Sequence, residues 1–235
     1  DWDAEQTGKG GYDHYMLKEI HEQPTALRQS LSGRTDPLAG RVTLKEAGGL
    51  PRPFRVQFVA AGTSYHAGLY GAELLRRAGV PASAHLSSEY ATSPAPVSEN
   101  TLVVGVTQSG ETADTLSALR AARDRGAETL ALTNVVGSTA ARECAHALYI
   151  RAGPEIGVAA TKTFSSQLVT LNLFVEHLTG QDAGTRERIP AWRDLPDDLQ
   201  SVLDHEGVTS VVDDYLGKES FFFVGRGLHH PVALE

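Results

Sequence analysis

Cysteine is almost absent, with Cys144 the single thiol in 235 residues. No intrachain disulfide can form, and the usage fits a reducing, cytoplasmic compartment. Cys144 itself reads either as a small buried filler or as a reactive thiol. Basic charge is also short: Lys and Arg number 21 against 29 Asp and Glu, a formal net charge of −8. There is no positive field to draw nucleic acid or an anionic membrane, so an anionic ligand has to be held locally. No apolar run approaches the roughly 18 residues of a membrane-spanning helix. The opening Asp1-Trp2-Asp3-Ala4-Glu5 has neither the basic start nor the apolar centre of a signal peptide. It does not begin with Met, and the sequence reads as an excerpt of something longer. Nucleotide loops of the G-x-G-x-x-G or G-x-x-x-x-G-K-[ST] kind are missing. None of the nine histidines forms H-E-x-x-H, and adjacent His229 and His230 would point in different directions. Neither metal nor organic cofactor is expected.

What is there suits one sizeable core with appendages. After a polar, Gly-rich opening, Tyr12 to Ile20 has helical spacing. Pro24 stops that helix and opens a second one toward Leu31, the two meeting at an angle. From Arg55 short apolar runs alternate with amphipathic stretches. Strands are predicted at Val56–Ala61, Pro81–Leu86, Thr101–Thr107, Thr129–Thr133 and Ala147–Ile150. Helices are predicted at Ser64–Ala78, 111–125, Ser138–Cys144 and Val158–Leu178, the last closed by Gly180. The alternation predicts an α/β fold, three-layered and doubly wound on a mainly parallel five-stranded sheet. Residues 181–217 read as one or two charged surface helices broken at Pro190 and Pro196. Phe221–Val224 reads as the first strand of another α/β unit. The segments are therefore 1–34 linker and helical lead-in, 35–180 first domain, 181–217 connector, and 218–235 the beginning of a second domain.

In such a sheet the ligand lies outside the carboxyl ends of the strands. Three strand-to-helix junctions there are rich in hydroxyls: Gly62-Thr63-Ser64, then Thr107-Gln108-Ser109-Gly110-Glu111-Thr112, then Asn134 to Ser138. Glycine admits close backbone approach, hydroxyls donate, and a helix N-terminus favours negative charge, which together make a phosphate cradle without arginine. The alternative is that Ser64, Ser109 and Ser138 only cap helices. The second junction is the stronger, since Thr107, Ser109 and Thr112 bracket one helix start, with Glu111 directed away.

With these residues in view, the sequence resembles the isomerase region of the glutamine–fructose 6-phosphate aminotransferase family, which has a sugar isomerase (SIS) fold. The resemblance is carried by Tyr15 to Pro24, Gly62-Thr63-Ser64-Tyr65, Gln108 to Thr115, Glu155 to Lys162, Gly225-Arg226-Gly227 and Pro231 to Glu235. It implies that Ser64, Thr107, Gln108, Ser109 and Thr112 bind the sugar phosphate and that Thr63 and Val158 line the sugar. Ala61 stands where the family often has Cys, and Thr107 where Ser is frequent; neither change removes a needed donor. Lys162 either faces the ligand or is solvated. The family's glutaminase domain would precede Asp1. Its isomerase base, ring-opening histidine and Schiff-base lysine would lie beyond Glu235, so the chain is expected to be inactive alone. In their absence Glu111 and Glu155 are the second-choice bases. Homodimerisation is also implied. The competing readings are a non-catalytic module sensing a sugar phosphate and a stand-alone phosphosugar isomerase.

Overall fold

The computed structural model describes residues 8–36, 38–98, 100–179, 183–205 and 207–235. The first residues of the opening linker and the helix stop expected at Gly180 lie outside them. The lead-in is one helix, α1 (Tyr15–Leu31), rather than two at an angle. Pro24 lacks the N–H that the Ile20 carbonyl would accept, and the Gln23 side chain replaces it, Nε2 donating to Ile20 O at 3.1 Å. Buried Pro24, Ala26, Leu27 and Leu31 then hold the helix on the core. A small antiparallel hairpin that the sequence does not signal follows, β1 (Thr35–Asp36) with β2 (Arg41–Val42).

The body of the chain alternates as expected. β3 (Arg55–Ala60) leads to α2 (Thr63–Arg77), β4 (Ala82–Leu86), the short α3 (Ser87–Thr92) and β5 (Thr101–Thr107). Next come α4 (Ala113–Arg123), β6 (Glu128–Thr133), α5 (Thr139–Glu143), β7 (His146–Tyr149) and α6 (Lys162–Thr179). The five main strands run in the order β4-β3-β5-β6-β7, every pair parallel. Apolar residues of alternating parity leave both faces of the sheet buried. Val56, Phe58, Leu102, Val104, Leu130 and Leu132 face α1, α2 and α6. Val59, Val103 and Ala131 face Tyr90 of α3, Leu116 and Leu119 of α4 and Ala140 of α5. The result is the three-layered, doubly wound arrangement the sequence predicts.

Three expectations change beyond β7. α6 starts at Lys162 rather than Val158, because side-chain carboxylates hold the preceding backbone in a loop. The connector forms one helix, α7 (Ala183–Leu203), running through both Pro190 and Pro196. Ile189 is buried, and Trp192, Leu195 and Leu199 pack on the core at helical spacing; that buried stripe outweighs two missing backbone donors. Short turns, α8 (Gly207–Ser210) and α9 (Val212–Tyr215), follow. Phe221–Val224 forms no strand. No neighbouring strand pairs with it among the described residues, and the four side chains are exposed. The last helix, α10 (His229–Leu234), ends beside α2.

Candidate functional site

The chain leaves β3 toward β4 on one side and returns to β5 on the other, so the sheet order reverses between β3 and β5. Crevices at such switch points are where doubly wound folds bind ligands. The loops flanking this one are the first two hydroxyl-rich junctions. Gly62 enters α2 at φ +54° with open space where a side chain would stand, so its dihedral requires glycine. Thr63 and Ser64 occupy the first turn. Ser64 is buried, and its Oγ accepts from Gln167 Nε2 of α6 at 2.9 Å. Thr63 Oγ1 donates to Glu235 Oε1 at 2.6 Å, and His66 Nδ1 lies 2.7 Å from the other oxygen of that carboxylate.

Across the crevice, Thr107 Oγ1 accepts from the Gly110 amide at 3.1 Å and shares a 3.1 Å hydroxyl contact with Thr112 Oγ1. One proton of that pair is used between the two oxygens, leaving the other for a ligand. Ser109 Oγ accepts from the Glu111 amide at 3.1 Å and keeps its own proton. The Gln108 carbonyl accepts from Asn134 N and Thr133 Oγ1, tying the loop to the end of β6. Neither the residue that opens α2, Gly62, nor the one that opens α4, Thr112, caps its helix, and among the described residues no other side chain bonds their first amides. Ser64 and Ser109 are therefore not the helix caps of the alternative reading.

The third junction serves the scaffold. Asn134 accepts from Ala152 N and donates to the Gly153 carbonyl, at 2.9 and 2.6 Å, stitching β6 to the loop after β7. Ser138 sits at the start of α5 without making a capping bond; its buried Oγ packs where a side chain on Gly110 would go. Gly110, at φ +71°, thus admits Ser138 as well as any ligand. Val158 is fully exposed, at 107%, on a loop held from below. The buried Glu19 carboxylate of α1 accepts from the Ile156 and Gly157 amides at 2.6 and 3.1 Å. A Cβ at Gly157 would come 2.5 Å from that carboxylate.

The second-choice bases have other partners. Glu111 does turn away, its carboxylate accepting from the Thr139 amide at 2.8 Å; the Thr139 amide and hydroxyl hold it below the usual carboxylate range. Glu155 accepts from the Thr161 and Thr163 amides at 2.9 and 3.2 Å and from both hydroxyls. Each closes the N-terminus of a helix, α5 and α6 respectively. Lys162 is buried in an ion pair with Glu22, Nζ to Oε2 2.6 Å, so it is neither solvated nor aimed at the crevice. Burial pushes the Cys144 thiol up to about 11, the behaviour of a filler rather than a nucleophile. An open cleft of about 490 Å³ lies elsewhere, between α1 and the loop after β7, but its cations Lys162 and Arg151 are already paired with Glu22 and Glu46. Among the described residues no three His, Cys, Asp or Glu side chains converge as metal ligands would. Sequence reasoning missed Glu19, Gln167 and Glu235 as partners of the site loops. For Gln167 the available signal was an amide on the buried stripe of α6.

The fold is a doubly wound α/β sheet with a hydroxyl-lined crevice at its switch point, and residues 51–177 match the SIS domain family. The chain belongs to that family. Over its whole length it is 53% identical to glutamine–fructose-6-phosphate aminotransferase [isomerizing] of Halobacterium salinarum and 48% identical to that of Symbiobacterium thermophilum. It spans 41% and 40% of those proteins. The solved C-terminal domain of glucosamine-fructose-6-phosphate aminotransferase from Francisella tularensis superposes with a TM-score of 0.87 at 32% identity, covering 96% of this chain and 66% of that one.

Proposed function

We propose that the crevice between β3 and β5 binds the phosphate of fructose 6-phosphate or glucosamine 6-phosphate through Ser64, Thr107, Gln108, Ser109 and Thr112, with Thr63 and Val158 lining the sugar. The observation that carries this reading is a contrast in capping. Among the described residues α2 and α4 enter the crevice with no side chain on their first amides, whereas glutamates close α5 and α6. Positive helix ends left open beside unused hydroxyl protons suit a dianion. The parent activity, in this reading, moves ammonia from glutamine to fructose 6-phosphate and isomerises the product to glucosamine 6-phosphate. That extension is supported by the names of the relatives. This chain supplies recognition and is inactive alone, in keeping with the engagement of Glu111 and Glu155 as caps. Residues 35–180 act as the binding domain, and the exposed run Phe221–Val224 belongs to the start of a second one. In the same reading the protein works in the cytoplasm as a homodimer, as the family resemblance implies, and without nucleic acid or membrane partners, which the formal net charge of −8 and the lack of a long apolar helix among the described residues support.

Calorimetric titration with both sugar phosphates tests the site. Binding is expected for the unmodified chain and is expected to vanish in the Ser109→Ala, Thr112→Ala double variant. Equal affinity in that variant would remove the cradle from consideration. Sedimentation equilibrium showing only monomer at high concentration would count against the homodimer.

A further inference from the structure

We infer that Gln167 is a positioning residue that sets the polarity of the Ser64 hydroxyl, turning its proton toward the crevice. This rests on the sugar-phosphate reading above. Gln167 lies on the buried face of α6, 1% exposed, and its Nε2 stands 2.9 Å from Ser64 Oγ. An amide nitrogen can only donate, so the serine oxygen accepts, and its one proton is left for another acceptor. Ser64 is in the first turn of α2 at the switch point, and a bound anion there supplies the acceptor that its hydroxyl lacks among the described residues, the nearby Glu235 carboxylate being bonded to Thr63. Were Gln167 turned over, Oε1 would take the Ser64 proton, and the hydroxyl would present only lone pairs to the phosphate. A structural role accounts poorly for this glutamine. Its Oε1 is buried with no hydrogen-bond partner among the described residues, so an apolar side chain of the same length would fill the space without stranding an acceptor. Ser166 and Thr170 also leave buried hydroxyls unpaired on α6; Gln167 is the one of the three bonded to a crevice residue.

The test is a double-mutant cycle read by titration of the full chain with fructose 6-phosphate. Gln167→Met keeps the length and removes the donor. It is expected to weaken binding about 10-fold when Ser64 is present, and less than about 2-fold in a Ser64→Ala background, since the lost hydrogen bond to a charged ligand is the same one. Gln167→Glu has the same shape but reverses the polarity at Ser64, and is expected to bind more weakly than Gln167→Met. Equal losses in both Ser64 backgrounds would mean that Gln167 only packs, and would overturn the inference. So would equal binding by the Met and Glu variants, which also decides the matter should the double variant fail to fold. The two levels separate cleanly. No binding by the unmodified chain removes the sugar-phosphate reading and this inference together. Binding that is lost in Ser109→Ala, Thr112→Ala, with no coupling between positions 64 and 167, removes the inference alone.

Discussion

Of the five helices that begin at the carboxyl end of the sheet, four have first turns handled in two ways. α5 and α6 are each closed by a glutamate from a distant part of a loop: Glu111 on Thr139, and Glu155 on Thr161 and Thr163. α2 and α4, at the switch point, have no side chain on their first amides among the described residues; Ser64, Thr107 and Ser109 accept from protein donors there, while Thr63 donates to Glu235. Unpaired helix amides attract negative charge wherever it comes from. In one pair a carboxylate of the chain sits on the amides themselves; in the other the amides stay open, the nearest carboxylate, Glu235, bonding the Thr63 side chain instead. In the proposed reading the difference separates residues that stabilise the fold from residues held ready for a ligand, although all are Ser, Thr or Glu at helix starts.

Substitutions on the two sides of that divide should fail differently. The largest effect is expected for Gly110→Ala, where the backbone is left-handed and the new methyl meets Ser138 Oγ and lies 3.0 Å from Thr133 Oγ1. Left-handed strain and overpacking together cost about 3 kcal/mol, so urea denaturation should show lost stability and titration should show lost binding. Gly126→Ala, at φ +85° in open space, isolates the backbone part at about 1–2 kcal/mol and should leave affinity unchanged. Next in size, Glu155→Gln weakens the closure of α6 by about 1 kcal/mol with little change in sugar-phosphate affinity. Thr112→Ala should show the reverse, weaker binding at nearly unchanged stability; matching profiles for these two would erase the distinction.

The smallest effect concerns pH. The Glu111 carboxyl is held below its ordinary value by Thr139, so its contribution is complete above the unfolded carboxyl value and is lost as pH falls through the lower folded one. The melting-temperature gap between the native chain and Glu111→Gln should therefore be present at neutral pH and close toward roughly pH 3. A gap that persists there would mean that Glu111 acts by packing rather than by charge.

Much of the sheet was legible because β3, β5 and β6 are continuous apolar runs between glycine-ended helices, a local signal. The hydroxyl junctions were legible for the same reason: composition changes abruptly at a strand end. What escaped prediction depends on side-chain partners that the local pattern does not show. Pro24 predicts a break until Gln23 is seen to supply the missing donor. Pro190 and Pro196 do the same until the buried stripe of α7 is seen on the core. Phe221–Val224 has the composition of a strand, but a strand needs a neighbour and none pairs with it among the described residues. The functions of Glu111 and Glu155 as caps, and the pairing of Lys162 with Glu22, are likewise invisible without the third dimension. An acidic side chain near a ligand loop reads equally as a base or a cap until its donors are known.

The bond between Ser64 and Gln167 joins positions 103 residues apart, and the Glu19 clamp on Ile156 spans 137. Contacts of such long sequence separation carry a loop-closure cost and slow folding. The crevice is therefore assembled from segments far apart in the sequence, and it depends on the whole fold rather than on any one of them. In the proposed reading, a sugar phosphate that binds there recognises the assembled fold and adds stability that grows with its concentration, so the ligand also favours correctly folded copies of its own site.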